Sequence, residues 1–102
     1  MSLMTDELKQ KMPRLYAQEK EPDPIVWVKF FDAFGSWTWF GTEFDGVDTF
    51  FGWVDGDFPE LGYFSLSELE SVHIAASGIP RIERDLYFEP CHLSTLFRHL
   101  NK

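Results

Sequence analysis

What most restricts the fold open to this chain lies between residues 25 and 54, where three strand-like runs carry large apolar side chains at both parities. In the first run, Val26, Val28 and Phe30 oppose Ile25, Trp27 and Phe31. In the second, Phe40 and Phe44 oppose Trp37 and Trp39, and in the third Phe50 and Val54 oppose Phe51 and Trp53. A sheet with one wet face would alternate apolar with polar residues. This sheet must therefore be covered on both sides, or one side must offer an aromatic surface to something else. Aromatic residues make up 18% of the 102 residues, and each hides roughly 150–250 Å² when buried. Left uncovered together, Trp27, Trp37, Trp39 and Trp53 would exceed the apolar patch of an ordinary monomer.

Turn signals divide the runs. Ile25 to Phe31 reads as a strand, Asp32 to Ser36 as a turn, Trp37 to Asp45 as a second strand, and Asp45-Gly46 as a hairpin signal. Thr49 to Val54 and Leu61 to Ser65 give two more strands, separated by Asp55-Gly56-Asp57. Ile82 to Glu89 alternates again as a fifth strand, ended by Pro90. Helices flank this block. Thr5 caps a first helix running to about Met12, where Pro13 stops it. Ser65 or Ser67 opens a second, which extends to about Ala76 before Gly78 and Pro80. Leu93, Leu96, Phe97 and Leu100 mark an amphipathic third. The expected fold is α+β: one domain over residues 1–102, an antiparallel meander of four to five strands with two to three short helices packed mainly on one face. The doubled methionine suggests that residues 1–3 stand ahead of a start at Met4.

Charge narrows the function classes. The chain holds 9 basic and 17 acidic residues, a net −8, and the excess is local. Residues 1–20 and 71–102 each carry four bases and three acids, whereas residues 21–70 carry one base and eleven acids. Such a surface repels nucleic-acid backbones and anionic membranes, so neither is an expected partner. The lone Cys91 excludes an internal disulfide. The N-terminus lacks the basic start and apolar run of a signal peptide, and no uncharged stretch approaches a membrane span. A cytoplasmic protein is expected.

Chemistry-bearing patterns are sparse. Glu43, Asp45, Asp48 and Asp57 crowd the ends of the second and third strands and offer the oxygens a hard cation wants, although Asp and Gly are equally ordinary turn residues. Asp55 to Glu60 does not have the spacing of an EF-hand loop. The histidines are scattered, and the adjacent Cys91 and His92 point apart on an extended connection. No glycine-rich phosphate loop is present, and no cofactor is called for. Arg84 shares a parity with Ile82, Leu86 and Phe88, where a charge needs a partner. Glu43 or Asp45 would serve as that partner, or Arg84 recognises an anion in a cleft.

The run Trp37-Thr-Trp-Phe, then Thr42-Glu-Phe-Asp-Gly-Val-Asp-Thr-Phe-Phe-Gly52, Pro59-Glu-Leu-Gly-Tyr-Phe-Ser-Leu-Ser-Glu-Leu-Glu-Ser71 and Ile82-Glu-Arg-Asp-Leu-Tyr-Phe-Glu-Pro90, resembles a family of small bacterial proteins catalogued as domain of unknown function 2958. The resemblance spans nearly the whole chain and implies a setting on plasmids and other mobile elements. It assigns no activity, cofactor or catalytic residue. The leading expectation is a non-enzymatic interaction module that binds a protein partner, or a second copy of itself, through Trp27, Trp37, Trp39, Trp53 and Arg84 or through its acidic rim. The alternatives are an acidic decoy that mimics a nucleic-acid backbone, and a small metal-dependent hydrolase using the four carboxylates.

Overall fold

A computed structural model describes residues 3–100, with side chains to residue 97. The readings made for residues 1–2 and for the Leu100 side chain lie outside the described residues. The fold is α+β, as expected, with a largely antiparallel meander at its centre. Strands β2 (Val28–Asp32), β3 (Thr38–Phe44), β4 (Thr49–Asp55) and β5 (Glu60–Ser65) follow one another by short turns. The fifth member, β6 (Ile82–Arg84), returns to lie antiparallel beside β2, giving the order β5-β4-β3-β2-β6. A separate two-stranded ribbon joins β1 (Ile25–Val26) to β7 (Cys91–His92).

Three expectations are corrected here. The strand read as Ile25 to Phe31 breaks at Trp27, whose N–H donates to the Gly41 carbonyl (2.8 Å) rather than continuing one ladder. Helix α2 is Leu66–Ser71, not a run to Ala76. Val72 is already extended, and His73 bridges to Pro80, so the β-branched residue starts a strand-like arm instead of a further helical turn. The strand read as Ile82 to Glu89 stops at Arg84, because the Asp85 carboxylate accepts the Tyr87 N–H (2.9 Å) and closes a turn. Leu86 and Tyr87 are consequently exposed.

The helices α1 (Asp6–Lys11) and α3 (Leu93–Leu100) fall where the capping and periodicity place them. The Thr5 side chain accepts the Leu8 N–H, and Ser65 does the same for Glu68 at the start of α2. Two apolar clusters sandwich the sheet. On the first face, Val28, Phe30, Phe44, Phe50 and Ile82 pack with Met4, Met12, Leu66 and Leu69. On the second, Val26, Phe40 and Leu93 pack with Trp53, Phe88, Leu96 and Phe97. Thus α1 and α2 serve the first face and α3 the second. No helix among the described residues is long and apolar enough to cross a membrane.

One irregularity sets the two faces apart. Along β3 and β4, Gly41 pairs with Gly52 but Glu43 pairs with Phe51, which leaves Thr42 as an extra residue in a β-bulge. Simple alternation puts Phe40 and Phe44 on the same side. The bulge instead sends Phe44 into the first cluster and leaves Phe40 in the second. Glu43 is thereby turned onto the second face beside Phe51.

Candidate functional site

On the second face, two cross-strand rows run from β3 to the sheet edge: Phe40, Trp53, Leu61 and Glu43, Phe51, Tyr63. Phe51 and Tyr63 meet edge to face at 5.0 Å, and Trp53 meets Phe97 of α3 at 4.9 Å. These rows floor a cleft of about 450 Å³ between α3 and the segment of residues 16–24. Its outer floor is open: Leu61 is 53% and Tyr63 57% exposed. The first face differs, with Phe30, Phe44 and Phe50 fully buried.

The cleft wall is held by polar groups that the sequence does not mark. Buried Glu43 accepts the Tyr16 N–H on Oε1 (2.8 Å) and the Gln18 N–H on Oε2 (2.7 Å). Those bonds hold Tyr16 at φ 72°, a left-handed conformation that costs a non-glycine residue energy and needs such support. The Gln18 side chain finishes the clamp. It accepts the Ile25 N–H (2.8 Å), and its Nε2 donates to the Ile25 carbonyl (3.0 Å) and to the Thr42 carbonyl of the bulge (2.8 Å). The Thr42 hydroxyl donates to the Phe51 carbonyl (3.0 Å). At the far end, Asp23 accepts the N–H and hydroxyl of Ser94 and so caps the start of α3. The segment is tied both to the bulge and to the helix facing it.

Electrostatically the cleft is one-sided. Glu19, Glu21 and Glu43 line it, and no lysine, arginine or histidine does so among the described residues. A hydrogen bond with Tyr16 and burial, with smaller contributions from the charges of Glu43 and Glu19, raise the Tyr63 hydroxyl above its usual value. Aromatic rings inside an acidic rim suit a positively charged group, which gains from ring faces and carboxylates alike.

The sequence-predicted residues are scattered relative to this site. Of the four tryptophans only Trp53 lines the cleft. Trp27 and Trp39 pack half-buried against the first cluster. Trp37, 39% exposed, lies against Trp39 (5.9 Å) and over Gly56, where any side chain would collide with the indole. The four therefore do not form one surface, because the strands carrying them place Trp53 and Trp39 on opposite sides. The Trp27 indole Nε1 is buried without a hydrogen-bond partner among the described residues. Arg84 finds neither Glu43 nor Asp45. From the edge strand β6 its Nε donates to the Leu3 carbonyl (2.8 Å), an acceptor supplied by the N-terminal segment across the first face.

The four carboxylates proposed for a metal are not gathered together. Glu43 holds the Tyr16–Gln18 turn. Asp45 accepts the N–H groups of Val47, Asp48 and Thr49 within its own hairpin (2.8–3.1 Å). Asp48 accepts Ser65 Oγ (2.6 Å) and the Ser67 N–H (2.7 Å) beside the start of α2, and Asp57 is exposed in the loop between β4 and β5. Among the described residues, no three side chains of the metal-ligating types stand together. Hydrogen bonds from Ser65 and Ser67 hold the Asp48 carboxyl below its usual value. Burial raises the Cys91 thiol, and His92 Nδ1 lies 2.8 Å from the Asp23 carbonyl, so these neighbours do not act as a pair.

Tyr16, Gln18 and Tyr63 escaped the sequence reading. Tyr63 alone carried a signal, its shared parity with Leu61 on a short strand, whereas the Gln18 clamp spans 24 residues to Thr42 and leaves no local trace. Comparison with the curated proteins and with the solved structures gives no match. The family model described as "Protein of unknown function (DUF2958)" matches residues 3–101, and the chain, alike over nearly its whole length, belongs to that family.

Proposed function

We propose that this protein is an interaction module that receives a positively charged part of a protein partner in the cleft between β4, β5 and α3. The observation that carries the reading is the open floor of Phe51, Trp53, Leu61 and Tyr63, lined by Glu19, Glu21 and, behind them, buried Glu43, with no cation among the described lining residues. The net −8 of the chain adds a general attraction for a basic partner and favours encounter with it. The family resemblance supports a bacterial setting as an accessory factor of a mobile element, and the same proposal takes that factor to be cytoplasmic.

Calorimetric titration with a synthetic lysine-rich peptide and its glutamate-rich counterpart tests the reading. The lysine peptide binds, several-fold more weakly as salt shortens the screening length below about 10 Å, and a Glu19→Gln, Glu21→Gln double variant binds it less tightly. Equal uptake of both peptides, or of neither, overturns the proposal.

A further inference from the structure

We propose that the outer edge of β5 is a strand-docking edge, and that its occupant is an extended segment of another protein bearing lysine or arginine at alternate positions. The inference rests on the cleft reading above and specifies how the partner is held. Strand β5 pairs with β4 along all six of its residues and, among the described residues, has no neighbour on its other side in the sheet order. Such an edge presents a row of unpaired N–H and C=O groups, which proteins ordinarily guard with charged side chains, proline, a bulge or a very short strand. Strand β5, Glu-Leu-Gly-Tyr-Phe-Ser, carries one charge, Glu60 at its start, and beyond it no charge, proline or bulge, and Leu61 and Tyr63 stand more than half exposed on its cleft side.

The opposite edge is managed differently. Strand β6 is three residues long, ends at the Asp85 turn and carries Arg84. The contrast marks β5 as the edge left available. An added strand would alternate its side chains between the two faces of the sheet. One set would lie beside Leu61 and Tyr63, within the field of Glu19, Glu21 and Glu43, where a lysine or arginine is favoured. The other would pass Gly62, where a Cβ would meet nothing within 4 Å, leaving room for a small apolar group.

Charge decides between the two classes of occupant that could extend a sheet. A second copy would bring another net −8 and a second Glu60 to the seam, a like-charge juxtaposition that opposes pairing. A basic segment meets no such penalty.

Amide hydrogen exchange followed by NMR tests the mode of binding, with a synthetic peptide of alternating lysine and valine as probe. The expected result is exchange slowed by roughly tenfold or more at amides within Glu60–Ser65, together with a shift of the Trp53 indole. Methylating every second peptide amide, in one of the two phases, abolishes the protection. A shifted Trp53 indole with unchanged β5 exchange, or full binding by both methylated phases, refutes strand addition while the cleft reading stands. If neither Trp53 nor β5 responds, both readings fail. Protection that rises with protein concentration in the absence of peptide identifies a second copy as the occupant and likewise overturns the proposal.

Discussion

Both oxygens of Glu43 are engaged by N–H groups of a single turn, and that turn is a wall of the cleft. Replacing Glu43 with Gln leaves one oxygen acceptor and sets an amide donor against an N–H donor. Hydrogen bonds to a buried charged group contribute about 1.5–3 kcal/mol, so Glu43→Gln should lower unfolding stability by about that amount in urea titration. An unchanged midpoint would mean that the clamp contributes nothing. Asp48 answers to pH instead. Its carboxyl is held below the usual 3.8 by Ser65 and Ser67, so its contribution is present in full above that value and disappears as pH falls through the lowered one. Stability measured between pH about 5 and 2 should therefore fall less steeply in Asp48→Asn than in the native chain, and parallel curves would contradict this. Residue types at the sequence level suggested a metal for both carboxylates. Their real work, accepting N–H groups from residues 19 or more positions away, depends on a tertiary approach that no local pattern records.

At the scale of elements, most of the fold was legible because capping and alternation are local. Thr5 and Ser65 start α1 and α2, Asp45 closes the β3–β4 hairpin, and the 3.6-residue stripe marks α3. What was not legible is the bulge at Thr42. An extra residue in one strand leaves the composition of that strand unchanged while exchanging the faces of everything beyond it. Two glycines in one cross-strand row report on this geometry. A Cβ at Gly52 would lie 1.8 Å from the Phe40 carbonyl oxygen, whereas at Gly62 it would meet nothing. Gly52→Ala should cost more than about 3 kcal/mol, since backbone must move. Gly62→Ala should be neutral or stabilise by about 0.4–1 kcal/mol through the unfolded chain. Thermal melts of the two variants check the contrast, and similar shifts in both would refute the bulged register.

Over the whole molecule, the aromatic residues at both parities serve two separate ends. One face is closed over Phe30, Phe44 and Phe50 by α1, α2 and the N-terminal segment. The other is covered by α3 only as far as Trp53 and is open from there to the edge of the sheet. The sequence shows that both faces are apolar, but how far each helix reaches is set by packing. Glu19, Glu21 and Glu43 then give the cleft its negative sign. Line broadening by a soluble paramagnetic agent, read residue by residue on the free protein, tests this asymmetry most directly. The expected result is strong broadening of the Tyr63 ring and Leu61 methyls, none at Phe30, Phe44 and Phe50, and relief at Tyr63 when the lysine-rich peptide is added. Tyr63 and Leu61 as sheltered as Phe30 in the free protein would contradict it.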